Sequence, residues 1–211
     1  LSNFFHYTAI RGSLLIISIY FLPEVVGFFS IALTLLEAVL ILPNTIGQLI
    51  FPQSSWINPE DDKTDVVLRV NLLVSIVLSL LIYLFSKPLL LAVFSPSYIP
   101  VWEALIYMIP SIILLGIPKI LSQFLSGRGY PQFAFYAALV SFVVSISLSL
   151  YLVPRYGLFG SSMVINAVSA VTALITMYGY KKISSVTYTE MFVPRFDDFN
   201  SIFKVALRHL K

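Results

Sequence analysis

Residues 133–178 read FAFYAALVSFVVSISLSLYLVPRYGLFGSSMVINAVSAVTALITMY, and Arg155 is the only charged residue in the run. Pro154-Arg155-Tyr156-Gly157 divides it into two apolar stretches, Phe133–Leu152 and Leu158–Tyr178. About 20 apolar residues are needed to cross a hydrocarbon core of about 30 Å. Strands of a membrane barrel would alternate polar and apolar residues over about 10 positions. These stretches do not alternate, so they predict two membrane helices joined by a turn.

The rest of the chain repeats the pattern. Apolar runs at Phe4–Leu22, Phe28–Ile50, Val66–Phe85 and Val101–Leu125 bring the expected number of spans to six. The connections carry turn residues at Pro23-Glu24, Pro52–Asp65, Ser86–Pro100 and Gly127–Pro131. Composition agrees: of 211 residues, 58% are hydrophobic and 11% charged, and the mean hydropathy is +0.92. Soluble domains carry about 25% charged residues. A chain this poor in charge cannot cover a globular surface, which excludes a soluble enzyme.

Residues 1–180 are expected to form the six-helix lobe and residues 181–211 a tail. In that tail Phe199, Ile202, Phe203, Ala206, Leu207 and Leu210 share one helical face, which predicts an amphipathic helix lying in the membrane interface. Basic residues set the direction. Nine (Lys63, Arg69, Arg128, Lys181, Lys182, Arg195, Lys204, Arg208 and Lys211) fall on the side of the C-terminus, against Lys87 and Arg155 opposite. The positive-inside bias then puts the C-terminus in the cytoplasm of a multi-pass cell-membrane protein. The net charge of +3 expresses that asymmetry, and no nucleic-acid partner is expected. The chain opens on Leu1 and enters apolar sequence without a basic leader, so it is expected to be cut from something longer.

Catalytic parts are missing. There is no cysteine, the histidines are His6 and His209, and no G-x-x-x-x-G-K-[ST] loop or H-E-x-x-H pair occurs. Neither a catalytic residue nor a metal or cofactor is expected. The acidic loop Glu60, Asp61, Asp62 and Asp65 reads as a solvated turn.

Intramembrane charge is the informative feature, because a charged residue at mid-membrane costs at least about 2.5–3.5 kcal/mol and faces a bundle interior or a wet cavity. Arg11, Glu37 and Lys119 lie within the spans. Thr8, Arg11 and Ser18 form a short stripe on the first span. Ser30, Thr34, Glu37, Asn44 and Gln48 line one face of the second. Glu103, Tyr107, Ser111, Lys119, Ser122 and Ser126 do so on the fourth. A wet cavity bounded by these three spans is the preferred reading. A neutralised Arg11–Glu37 pair that fixes helix register, and a Lys119 that reaches toward the headgroups, are the structural alternatives. The small residues Ala137, Ser141, Ser145 and Ser149, with Ser162, Asn166 and Ala170, suit close helix packing in the last two spans.

Several segments resemble the C-terminal half of the Wzx-type polysaccharide flippases of the multidrug/oligosaccharidyl-lipid/polysaccharide exporter superfamily. They are Val26–Ala32, Leu42-Pro43 with Phe51-Pro52 and Ser54-Ser55, Leu125–Pro131, and Pro154–Ser161, in that order along the chain. The resemblance implies an all-α protein, one six-helix lobe of a two-lobe flippase, with the N-terminal lobe of the same protein as its missing partner. It implies movement of a polyprenyl-diphosphate-linked oligosaccharide between membrane leaflets, with the lipid tail left in the bilayer. Arg11 and Lys119 would then meet the diphosphate head, Asn44 and Gln48 would offer hydrogen bonds to sugar, and Glu37 would couple transport to a proton or cation. Cation-coupled drug extrusion and a non-transporting six-helix scaffold are the competing functions.

Overall fold

The computed structural model describes residues 2–45, 48 and 64–184, and the described residues are helical apart from short connections. The helices are α1 (Ser2–Tyr20), α2 (Pro23–Val39), α3 (Thr64–Val93), α4 (Ile99–Gly127) and α5 (Gln132–Ile183), with a 3-10 turn at Pro96–Tyr98 before α4. The amphipathic helix expected in the tail lies outside the described residues. Among the described residues three helices, Thr64–Val93, Pro96–Gly127 and Gln132–Ile183, are long and apolar enough to cross a membrane. The helices point to a multi-pass membrane protein, and many large apolar side chains face outward, among them Ile19, Leu80 and Leu174.

The 52-residue α5 is a folded hairpin. Gly157 breaks it with φ 55° and ψ −127°, a conformation that only glycine adopts without strain. Pairs across the bend then run in antiparallel register. Ser141 Oγ and Thr172 Oγ1 are 2.7 Å apart. A Cβ on Gly160 would lie 2.4 Å from the Leu152 carbonyl oxygen, and one on Gly179 would lie 2.7 Å from the Phe133 ring. Each leg is about 37 Å long at 1.5 Å per residue, enough for a crossing. In lipid the apolar surfaces gain little by leaving the surrounding tails, so association rests on close packing and hydrogen bonds. The buried row Ala137, Ser141, Ser145 and Ser149 supplies both. On this row sits α1, where Ser145 Oγ donates to the Ala9 carbonyl at 2.6 Å.

The other leg and α3 both pack on α4. Ser162 Oγ donates to the Ala104 carbonyl (3.1 Å) and Asn166 Nδ2 to the Tyr107 carbonyl (2.7 Å). On α3 a buried polar face of Asn71, Ser75 and Ser79 meets α4 at Gly116. Arg69, counted above among the basic residues of one membrane face, is buried and paired to Asp65 at 2.9 Å.

Element ends differ from expectation in three places. Helix α3 continues past Phe85 to Val93 even though Pro88 lies inside it, so most of the stretch read as a loop is helical. A proline removes one helical hydrogen bond, and near a helix end water can replace it. Pro154 is likewise inside a helix, with the break deferred to Gly157. On α2 the helix stops at Val39, Leu40 is a turn, and helical residues resume at 41. Pro43 explains this, since its ring crowds the carbonyl four residues back, that of Val39. The turn after α4 is a Schellman cap: the Tyr130 N–H reaches the Leu125 carbonyl (2.8 Å), the Gly129 N–H reaches that of Ser126 (3.1 Å), and Gly129 has φ 83°.

Where α3 crosses α4 the approach depends on Gly116. Asn71 Nδ2 donates to its carbonyl at 2.8 Å, and a Cβ there would lie 2.8 Å from Ser75 Oγ and 2.9 Å from Asn71 Nδ2. Gly116→Ala is therefore expected to cost about 1–3 kcal/mol by overpacking, and removing the Ser75 hydroxyl in Gly116→Ala/Ser75→Ala should recover part of it. Thermal unfolding in detergent reads this out. An unchanged midpoint for the single variant would remove the close-approach argument.

Candidate functional site

Arg11 stands about 14 Å along α1 from its first residue, at 1.5 Å per residue. Glu37 is near the end of the antiparallel α2. Their side chains meet: Arg11 Nε donates to Glu37 Oε1 at 2.9 Å, and Nη2 contacts Oε2. This is a two-point guanidinium–carboxylate pair, the strongest form of such contacts. The Arg11 guanidinium also lies 5.0 Å from the Tyr7 ring centroid. About a third of each charged side chain remains exposed, 35% for Arg11 and 36% for Glu37, so the pair is open on one side.

Lys119 occupies a different place, a cleft of about 400 Å³ at the end of the bundle where α1 begins and α4 ends. Lys119, Ser122, Gln123 and Ser126 are spaced i, i+3, i+4, i+7, so one face of α4 supplies its polar wall. Ala134, Ala137 and Ala138 on the first leg of α5 leave the space, Thr172 closes the back, and His6 of α1 completes the rim. Helices α1 and α4 are not among the closely packed pairs, and the cleft opens between them.

His6 and Lys119 share the lining of this cleft. Counted from this end of the bundle, Lys119 and Arg11 stand at similar depth, about 12 Å from the end of α4 and about 14 Å from the start of α1 at 1.5 Å per residue. The arrangement offers a cationic group, amide and hydroxyl hydrogen-bonding partners, and a carboxylate already neutralised by arginine. That set suits an anionic, polyhydroxylated ligand better than a cation.

The structure thus pairs Arg11 with Glu37 and places Lys119 in the cleft, whose lining includes neither member of the pair. Asn44 and Gln48 are not among the residues lining the cleft. Asn44 is half-buried and Gln48 exposed, both beyond the turn at Leu40, so the second-span stripe does not continue as one straight face. The Tyr107 and Ser111 part of the fourth-span stripe also serves packing: Tyr107 stacks edge-on against Phe159 and Ser111 donates to its own helix.

Periodicity missed His6, Gln123 and Thr172. For His6 the signal was present as an ionisable residue inside an apolar run. A lone histidine builds no catalytic triad, so that signal does not point to catalysis. Thr172 enters the cleft only through the hairpin register, which spacing within one helix does not reveal. Among the described residues no cluster of acidic or histidine side chains could hold a metal ion.

Residues 63–151, which hold α3, α4 and most of the first leg of α5, match the model of the MatE family. That family belongs to the multidrug/oligosaccharidyl-lipid/polysaccharide exporter superfamily and is one of transporters. No curated protein and no solved structure matches the chain.

Proposed function

We propose that this chain is one six-helix lobe of a flippase that carries a polyprenyl-diphosphate-linked oligosaccharide across the cell membrane by alternating access, for polysaccharide or glycoconjugate synthesis. The six crossings are α1, α2 with its helical extension, α3, α4 and the two legs of α5. A second lobe faces the open side of the Arg11–Glu37 pair, and the C-terminus is cytoplasmic. The observation that carries this reading is the Lys119 cleft, cationic and walled by hydroxyl and amide groups, with an arginine at similar depth on α1. The MatE match over residues 63–151 supports transport as the activity. In this scheme Lys119 and Arg11 attract the diphosphate, Gln123 and the serines of α4 hydrogen-bond the first sugar, and Asn44 and Gln48 meet more distal sugars. Glu37 couples the cycle to a proton or cation.

The multidrug alternative needs a carboxylate free to meet a cationic drug. Glu37 is already held by Arg11, which weighs against it.

Full-length protein in proteoliposomes, loaded with a fluorescent polyprenyl-diphosphate sugar, tests the proposal. Lys119→Ala is expected to lower the initial flipping rate about tenfold, the loss of one charge-assisted phosphate contact. Lys119→Arg should retain most of the rate. Wild-type flipping by the alanine variant would overturn the assignment of the cleft. Extrusion of cationic drugs without any lipid flipping would favour the multidrug reading. A Lys119 variant that alters stability alone would favour the scaffold.

A further inference from the structure

A second concavity lies away from this cleft. One face of α3 from Leu78 to Val93 is left open, and with Phe94, Leu35 of α2 and Leu105 of α4 it bounds an apolar groove of about 650 Å³. The groove runs about 22 Å along α3 at 1.5 Å per residue. Its wall contains one polar group, Ser86, whose side chain is 7% exposed and whose Oγ has no hydrogen-bond partner. A helical serine ordinarily satisfies itself on the carbonyl one turn back, as Ser79 does here on Ser75. A buried hydroxyl left unpaired therefore marks a place where another acceptor belongs.

Two more donors stand beside it. Leu90 lines both the groove and the adjoining contact in which Lys87 Nζ sits 4.6 Å from the Trp102 ring centroid. The Trp102 Nε1 atom is buried and likewise lacks a partner. This end of the bundle also carries Tyr98 and the stacked Arg155–Tyr151 pair. Aromatic rings and basic side chains at that level are the mark of the membrane–water interface.

A long apolar groove with a hydroxyl midway along its wall, and an ammonium and an indole N–H just across Leu90, has the chemistry of an anionic lipid. A second helix laid in the groove would cover the apolar wall and leave the donors unanswered, because its own carbonyls are occupied. We propose that the groove holds one acyl chain of an anionic glycerophospholipid, with the phosphate at Lys87 and Trp102 and an ester oxygen at Ser86. The site is separate from the Lys119 cleft and does not depend on the substrate assigned there.

Native mass spectrometry of the full-length protein tests this, using phosphatidylglycerol and phosphatidylcholine with identical acyl chains. Wild type is expected to retain one phosphatidylglycerol in preference to phosphatidylcholine. Lys87→Ala should lower phosphatidylglycerol retention about fivefold, the worth of one basic residue at an anionic headgroup, and so abolish the preference. Ser86→Phe fills the groove and should remove both lipids. Leu89→Trp, at an exposed position of the same wall, does so without burdening the fold. Wild type retaining no lipid, or Lys87→Ala keeping its preference, would overturn the proposal. So would a dimer that Leu89→Trp dissociates, because the groove would then belong to a second copy.

Discussion

Gly160→Ala is expected to prevent the chain from reaching a stable folded state, the largest effect of any single methyl group considered for it. The added Cβ would lie 2.4 Å from the Leu152 carbonyl oxygen and 2.8 Å from its carbon. These are backbone atoms of the other hairpin leg, so no rotamer change relieves the clash. Relief requires the legs to part at the tip, next to Gly157, whose positive φ already confines the bend. Opening there displaces Ser162 and Asn166 from the α4 carbonyls they bond. Overpacking costs about 1–3 kcal/mol where side chains can yield, and against backbone the cost exceeds that range. A folded protein holds only about 5–15 kcal/mol in reserve. Gly27→Ala is the control, since a Cβ there meets nothing within 4 Å. Monodispersity and the unfolding midpoint in detergent decide the matter: a Gly160→Ala protein as stable as Gly27→Ala would mean that the legs are not in this contact.

How far the sequence discloses this molecule depends on how narrowly physics limits each residue. Long apolar runs have few places to go, so the helical segments follow from Phe133–Leu152 and its counterparts. Gly129 and Gly157 mark the turns because few other residues tolerate their backbone angles. The helix ends were less legible. Pro88 and Pro154 read as breakers, yet each costs a single hydrogen bond near water, whereas Pro43 breaks its helix four residues upstream, at Val39. That displaced break separates Asn44 and Gln48 from the cleft, a consequence of path rather than of spacing. Arg11, Glu37 and Lys119 were legible because a charge inside a membrane needs company. His6 and Thr172 join Lys119 through inter-helix register alone, and no periodicity within one helix contains that information.

The Arg11–Glu37 pair carries the second large expectation, because stability and function separate there. Glu37→Leu leaves a guanidinium within the helical bundle without its carboxylate. Insertion scales put such a charge at about 2.5–3.5 kcal/mol, and the open side of the pair makes this an upper bound. Arg11→Met/Glu37→Leu removes both charges, and a pair replaced by apolar residues of similar size is often neutral in stability. The double variant is therefore expected to regain most of what Glu37→Leu loses, a coupling of about 2 kcal/mol in a double-mutant cycle. Additive single losses would mean that the pair is not a unit. Transport distinguishes what the pair is for. Were it only a device for helix register, the refolded double variant would flip lipid-linked sugar at the wild-type rate. With Arg11 meeting the diphosphate and Glu37 coupling the cycle, the same well-folded double variant is expected to flip at least tenfold more slowly and to lose its response to an imposed ion gradient. The loss of one charge-assisted contact alone accounts for that factor. Stability restored without transport is thus the result that assigns Arg11 and Glu37 to the transport cycle rather than to the scaffold.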